Sequence, residues 1–586
     1  MHTMSLHPLG TRANILLSSV FGPYAQDDAF GSRKINPMEL YQNQVTRFQG
    51  PFSLRMFHRS FGLMMIQENI DAPCTLLDFP SLERFEEELR KCAYDIVGIS
   101  GIIPNLGKVQ KMCALVREVL PRATVVVGGH IANTPAIEAL IDADQIVKGE
   151  GIRWFRSFLG QDPNAPVRHI EAYSGYGSRV MGHTLHDKPG DTAAIVIPSV
   201  GCPLGCNFCS TSALFGGKGK SINFYETGDE LFEVMRRLER KLDVQSFFIM
   251  DENFLYHRKR ALRLLELMQT HAKSWALYVF SSARVLKSYT IAQLVGLGIA
   301  WVWMGLEGEE SRYQKLAGVD TRELVSTLQS HGIRVLGSSI IGLENHTPDN
   351  MDAVIAHAIA HDAVFHQFML YTPNPGTPLY EAHKKAGTLH DLSVFPYADA
   401  HGQYRFNYRH KHIPDGQEEA FLAEAFQRDF KTNGPSLFRL IRALLTGWQR
   451  YKTHPDKRIR ARFAREAAPL KTTYAGALWA MAHWYRGDGS MSARIGRVLK
   501  EIYAEFGVGT RLAAVVIGSY LSFTAKRETR RLENGWTYET PSFYEKNRAA
   551  RALAKAQGAS IRQFSQGAAL KGLAVTRPAS GASLRS

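Results

Sequence analysis

Cysteine is scarce in this chain, with six in 586 residues, and three of the six, Cys74, Cys92 and Cys113, are scattered. That excludes a secreted disulfide framework and suits a reducing, cytoplasmic setting. The first ten residues lack a basic stretch leading into an apolar one, so no signal peptide is expected. No uncharged apolar run reaches the roughly 18–20 residues that cross a bilayer. A G-x-G-x-x-G fingerprint is missing, which argues against a nicotinamide site, and neither an internal repeat nor a nucleic-acid module is present. Acidic residues are missing from Lys546 to Ser586, where eight Lys and Arg stand among Ala, Gly and Ser. Residues 541–586 are therefore expected to form a basic, disordered tail, able to make only salt-sensitive and nonspecific contact with nucleic acid.

What is there suffices for about two to four domains. Apolar residues make up 45% of the chain, and the formal charge is +15, which suits anionic lipid, nucleic acid or a merely soluble basic surface. The other three cysteines, Cys202, Cys206 and Cys209, are gathered in Gly201-Cys-Pro-Leu-Gly-Cys-Asn-Phe-Cys-Ser210 with C-x3-C-x2-C spacing. They follow an apolar, strand-like run, Ala193–Pro198. Three thiolates on one loop suit a soft metal centre. Four usually hold a [4Fe–4S] cube, so a cube on three leaves one iron open to a substrate or cofactor. Zinc would want a fourth Cys or His close by, and the forty residues after Cys209 contain neither.

Strand-like runs alternate with helical periodicity on both sides of this loop. Before it come Ala13–Val20, Cys74–Asp78, Asp95–Ser100 and Thr124–Gly128, separated by amphipathic stretches over Ser81–Cys92 and Leu106–Leu120. This order predicts a doubly wound parallel sheet, whose ligands sit beyond the carboxyl ends of the strands. Residues 152–190 read as a connection. After it, apolar runs ending in polar groups recur: Ser246–Phe254 ends in Asp251-Glu-Asn253, and Trp275–Arg284 in Ser281-Ser-Ala-Arg284. Ile299–Gly308 ends in Gly305-Leu-Glu-Gly308, and Arg334–Gly342 leads into Leu343-Glu344. Phe365–Pro375 completes, with the strand at Ala193, six βα units, enough for a partial barrel with its site on the strand-end face.

The cysteine loop and these strand ends together resemble the radical S-adenosylmethionine (SAM) enzymes, and the first segment resembles the cobalamin-binding domain that precedes many of them. The resemblance implies an α/β fold in four parts. These are a Rossmann-like cobalamin-binding domain with linker at 10–185 and a partial (β/α)6 barrel at 186–400, then an all-helical domain at 401–540 and the tail at 541–586. It implies that Cys202, Cys206 and Cys209 hold a [4Fe–4S] cluster, and that Asp251, Glu252 and Asn253 meet the methionine amino group of SAM. Ser282 and Arg284 would lie near its ribose and carboxylate, Glu307 near the ribose hydroxyls, Ile340 and Gly342 near adenine, and Phe208 against the cofactor. Ser100, Gly128, Gly129 and His130 would meet cobalamin. The D-x-H-x-x-G motif that ligates cobalt from below is missing from the loop Phe21–Phe30, and the second strand departs from the Gly-Gly-Glu form of many members.

After Pro378 the alternation stops. Gln403–His410 is expected to add an edge strand, and helical patterns cover Glu418–Phe430, Ser436–Tyr451, Thr473–Tyr485, Ser492–Phe506 and Arg511–Arg531. Leu512–Thr524 is apolar and leads into Lys526-Arg527 and Arg530-Arg531, a combination suited to an interfacial helix, to the wall of a pocket for an apolar substrate, or to ordinary packing. The expected function is cobalamin-dependent C-methylation of an unactivated carbon of an apolar or lipid-like metabolite. The expected partners are a flavodoxin- or ferredoxin-type reductant and peripheral contact with a membrane. The alternative keeps both cofactors but forms a ring oxidatively without methyl transfer.

Overall fold

Successive residues of the first strand face opposite layers: Ile15 and Leu17 pack on one side and Leu16 on the other, as burial of both faces of a strand requires. The computed structural model describes residues 6–23, 29–30, 44–184, 192–308, 313–536 and 539–556. It places Ile15–Ser19 inside a six-stranded sheet ordered Phe543–Lys546, Cys74–Asp78, Ile15–Ser19, Ile96–Ser100, Thr124–Gly128, Gln145–Val147. All neighbours are parallel except the first pair. Helices Phe61–Asn69 and Gly151–Phe158 pack on one face, and Leu82–Lys91 and Leu106–Val119 on the other.

Two expectations are corrected. The segment 152–190 is more than a connection: Gly151–Phe158 is a core helix, and Tyr176–Val180 lies between Arg55–Phe57 and His183–Thr184 in a small antiparallel sheet. The expected disordered tail begins with the strand Phe543–Lys546, antiparallel to Cys74–Asp78, and the helix Arg548–Ala556. Packing outweighs composition here. Buried Arg59 bonds both Asp78 and Glu545, its guanidinium lies 4.2 Å from the Phe543 ring, and the Tyr544 hydroxyl donates to Glu88 at 2.9 Å. Residues 557–586 of that segment, and 24–28 of the loop after the first strand, lie outside the described residues.

The second sheet has its strands in sequence order: Ala194–Val196, Ser246–Ile249, Ala276–Phe280, Ile299–Glu307, Arg334–Ile341 and Phe365–Leu370, all parallel. Helices Gly228–Leu242, Arg258–Thr270, Ile291–Gly296, Thr321–Ser330 and Met351–Ile359 intervene; the apolar faces of the first four share one core with Phe247, Trp275, Leu277 and Val302, and Met351–Ile359 packs in another with Phe368 and Phe426. Thr227 and Glu230 cap the first of them reciprocally. Gln403–His410 forms no strand; within it only Tyr408 bridges, to Leu389.

The chain then turns helical: Gln417–Asn433, Ser436–Tyr451, Lys457–Ala467, Thr473–Trp484, Gly489–Phe506 and Val508–Glu533. Lys457–Ala467 has no counterpart among the expected helices, because its arginines look like a solvated loop. Arg462 is instead buried, 4.2 Å over Phe463 and 3.2 Å from Glu466. Glu466 also pairs with Arg334, the first residue of the fifth barrel strand, so this domain closes the amino-terminal end of that strand.

Candidate functional site

The cysteine loop joins the short strand Ser199–Val200 to the helix Ser210–Leu214. Cys209 caps that helix, its Sγ accepting from the Ser212 amide at 3.4 Å, while Ser212 Oγ donates to the Cys202 carbonyl at 3.1 Å. Gly205 adopts φ +61°, and a Cβ there would strike Lys218 Cα at 2.4 Å, so only glycine lets the loop lie against the following turn. Burial pushes the Cys202 thiol up to about 11 and raises Cys206 and Cys209 as well. Each thiol stays half-buried, and the charges of Cys206 and Cys209 are felt at Cys202. Among the described residues no three His, Cys, Asp or Glu converge on one point as a single ion requires. Ligands of a cube bind different irons and stand further apart, so the all-thiolate donor set fits a cluster.

At the end of the second barrel strand the three polar residues separate into different roles. Asp251 is buried and fully engaged: it accepts from Arg260 at 2.6 Å, from Ser199 at 2.5 Å and from the Asn253 amide at 3.0 Å. These bonds tie the end of the second strand to the following helix and to the strand that leads into the cysteine loop. Asn253 ties the second strand to the third, its Oδ1 accepting from Ser281 Oγ at 3.1 Å and from the Ser282 amide at 3.3 Å, and its Nδ2 donating to Ser282 Oγ at 3.4 Å. Glu252 is different. The residue is exposed, yet protein surrounds its carboxylate closely enough that burial, then the charge of Asp251, push its pKa up to about 7. Its charge is felt at Cys202 and Cys209, which places it beside the cysteine loop.

Glu307, expected near a ribose, is buried at φ +55° and paired with Lys315, so its carboxylate is already committed. Burial works against the Lys315 ammonium, but Glu307 and the thiols of Cys206 and Cys209 outweigh it and hold its pKa up. That ammonium also lies 5.2 Å over the Phe208 ring. Phe208 packs edge-on to Tyr313 at 5.1 Å and to Tyr371 at 6.0 Å, and joins Ile340 in one small core. The Tyr313 hydroxyl bonds Asn207 at 3.0 Å and Tyr371 at 3.0 Å. Lys315, Tyr313 and Tyr371 carry no spacing signal, and sequence reasoning missed them. Arg284 stands exposed on the rim. Gly342, at φ +87°, is fixed by the Phe406 ring, which a Cβ would meet at 2.3 Å.

Below this mouth the inward-facing positions of three adjacent strands form an aromatic wall. Phe248 stacks on Phe280 at 5.6 Å and Phe280 on Trp303 at 5.1 Å, all three half-buried. Trp303 Nε1 donates to Ser338 Oγ at 2.8 Å, which donates to Gln367 at 2.8 Å.

The strand ends of the first sheet surround a cavity of ≈ 90 Å³ lined by Ser19, Ser60, Phe79, Ser100, Gly129 and His130 among others. Gly128 ends its strand beside Ser100 and Val147. Gly129 adopts φ +87°, and a Cβ there would meet the Gly101 carbonyl at 2.6 Å. Burial lowers the pKa of His130, which favours a neutral ring. The cavity is too small for a whole corrin, and these residues fit one part of such a ligand. The two sites abut. His58, two residues from cavity-lining Ser60, lies 5.8 Å from Phe248, and a Cβ on Gly376 would meet Asn133 Cβ at 2.9 Å.

Residues 54–159 match the B12 binding domain family and residues 196–358 the radical SAM superfamily. An uncharacterized methyltransferase of Pyrococcus horikoshii is 23% identical over 329 residues, half of this chain and 70% of that one. The bacteriochlorophyllide d C-12(1)-methyltransferase of Chlorobaculum tepidum is 28% identical over 208 residues, 34% of this chain and 44% of that one. The anaerobic magnesium-protoporphyrin IX monomethyl ester cyclase of Cereibacter sphaeroides is 24% identical over 370 residues, 55% and 58% of the two chains. Among solved structures, the radical SAM methyltransferase TsrM of Kitasatospora setae, with cobalamin and a [4Fe–4S] cluster bound, superposes with a TM-score of 0.48 at 14% identity, covering 78% of this chain and 99% of that one.

Proposed function

The chain is a radical SAM enzyme with a B12 binding domain ahead of its radical SAM domain, and from that premise we propose that it methylates an unactivated carbon of an apolar, lipid-like metabolite. The observation that carries the substrate class is the aromatic wall of Phe248, Phe280 and Trp303, which lines the barrel below the cysteine loop and offers an incoming molecule dispersion contacts rather than hydrogen bonds. When bound, the cluster and cobalamin supply one-electron cleavage of SAM and a transferable methyl group. The residues supply placement. Cys202, Cys206 and Cys209 would hold the cluster, Glu252 would receive the SAM ammonium, and Asn253 would keep the second and third strand ends in register. Lys315, held by Glu307 over Phe208, would bring positive charge to the thiolates. Ser100, Gly129 and His130 would hold part of the cobalamin, and the contact between His58 and Phe248 keeps that site against the barrel.

Two outcomes test this reading. Reduced, cofactor-loaded protein given methyl-labelled SAM and an apolar cell extract is expected to form both 5′-deoxyadenosine and S-adenosylhomocysteine, with label in the apolar fraction. 5′-Deoxyadenosine alone, without label transfer, would favour oxidative ring formation, the reading that similarity to the cyclase supports.

Glu252 gives the reading a pH signature. Its carboxyl is neutral below about 7 and ionised above, so affinity for the SAM ammonium is expected to rise as pH climbs through that value. Glu252→Gln should flatten this rise and weaken binding by about 10- to 100-fold at high pH, the range of a charge-assisted hydrogen bond. Equilibrium binding of SAM on either side of neutrality checks both.

A further inference from the structure

The longest helix, Val508–Glu533, carries its residues inside out. Its buried positions are Thr510, Ala514, Gly518, Leu521, Ala525 and Glu528, mostly small, and they recur at helical spacing. Through them the helix is pressed against Thr473–Trp484: a Cβ on Gly518 would meet the Gly476 carbonyl at 2.9 Å and Trp479 at 2.5 Å. Apart from Leu521 and the half-buried Ile517, the large apolar side chains point the other way. Val508, Leu512, Val515, Val516, Tyr520 and Phe523 are between 44% and 72% exposed, and at 3.6 residues per turn they fall on one arc. A helix of a soluble protein turns such residues inward.

The same arc continues into Lys526, Arg527 and Arg530, all exposed. Between Val508 and Arg527 there is no acidic residue, and Glu528 is turned in, buried and bonded to Arg179 at 3.2 Å. Among the described residues this is the one helix long and apolar enough to cross a membrane by length and composition. Its packed face shows that it lies along the protein instead. From Val508 to Phe523 the apolar stripe runs about 22 Å at 1.5 Å per residue, a surface and not a point.

We propose that this stripe seats the enzyme on an anionic lipid bilayer, with the six apolar side chains in the boundary between headgroups and acyl chains and Lys526, Arg527 and Arg530 on the lipid phosphates. Charge selects this occupant over a second copy of the chain. An antiparallel copy of the stripe would bring Arg511 to these cations, with no carboxylate between Val508 and Arg527 to receive them. The inference is independent of the reaction, and its test does not read activity.

Full-length, cluster-loaded protein is floated on vesicles of phosphatidylcholine alone and of phosphatidylcholine with phosphatidylglycerol. Wild type is expected to rise with the anionic vesicles and to be released by salt. Two triple variants, L512E/V516E/F523E and K526E/R527E/R530E, should each lose about tenfold or more of that partition. Both should keep wild-type helicity and iron content, since every altered side chain is exposed. Failure of wild type to bind anionic vesicles, or equal binding to neutral ones, would overturn the proposal. So would unchanged partition of either variant. A concentration-dependent dimer that L512E/V516E/F523E abolishes, with no vesicle binding, would assign the stripe to a second copy instead.

Discussion

Cys206→Ala is expected to remove the cluster and with it the reductive cleavage of SAM, lowering 5′-deoxyadenosine formation by about three orders of magnitude or more. Cys202→Ala and Cys209→Ala should do the same, because a cube that already lacks a fourth protein ligand has none to spare. The fold should survive. The three thiols are half-buried on a loop held by Gly205 and by the Ser212 hydrogen bonds, and none belongs to a hydrophobic core. Cys113→Ala is the instructive contrast. Cys113 is fully buried between sheet and helix, so its loss should lower the melting temperature and leave iron, sulfide and turnover intact. Iron and sulfide analysis beside a thermal melt separates the two patterns. Full iron and full turnover in the Cys206 variant would end the three-cysteine assignment.

Gly129→Val should act on the other site. The glycine sits at φ +87°, a region that a β-branched residue avoids, and its missing Cβ leaves room for the Gly101 carbonyl 2.6 Å away. Valine must push the strand-end loop into the cavity between Ser100 and His130. Corrin recovered with the purified protein is expected to fall by about tenfold or more, the effect of losing about 1.4 kcal/mol or more of binding. Iron content and 5′-deoxyadenosine formation should persist, because the cysteine loop follows Ser199–Val200, a strand outside the first sheet. Methyl transfer should fail. A variant that retains corrin at the wild-type level would remove Gly129 from the cobalamin site.

Much of this was legible in the residues, for reasons that also explain the misses. Alternating apolar runs declare strands and amphipathic stretches declare helices, so the existence of both parallel sheets could be read, but not the order of strands within the first. The cysteine spacing is local, and so was its meaning. Asp251 and Glu252 show where local reading ends. Both are acids at one strand end, but which of them is free depends on Arg260, delivered by the next helix, and on Ser199, from another strand. The pairing of Glu307 with Lys315 was out of reach for the same reason, since no motif announces the lysine. Composition misled at Phe543–Lys546: basic neighbours hid a four-residue strand whose partner lies far back in the chain.

That strand has a consequence for biogenesis. Cys74–Asp78 emerges from the ribosome long before Phe543–Lys546 exists, and at about 5–20 residues per second the wait is on the order of tens of seconds. Throughout that interval the nascent first domain offers a bare row of amides and carbonyls along one margin, the kind of template on which neighbouring chains pair wrongly. The margin is therefore sealed only once Phe543–Lys546 has been made, and truncation before residue 543 would leave it unsealed.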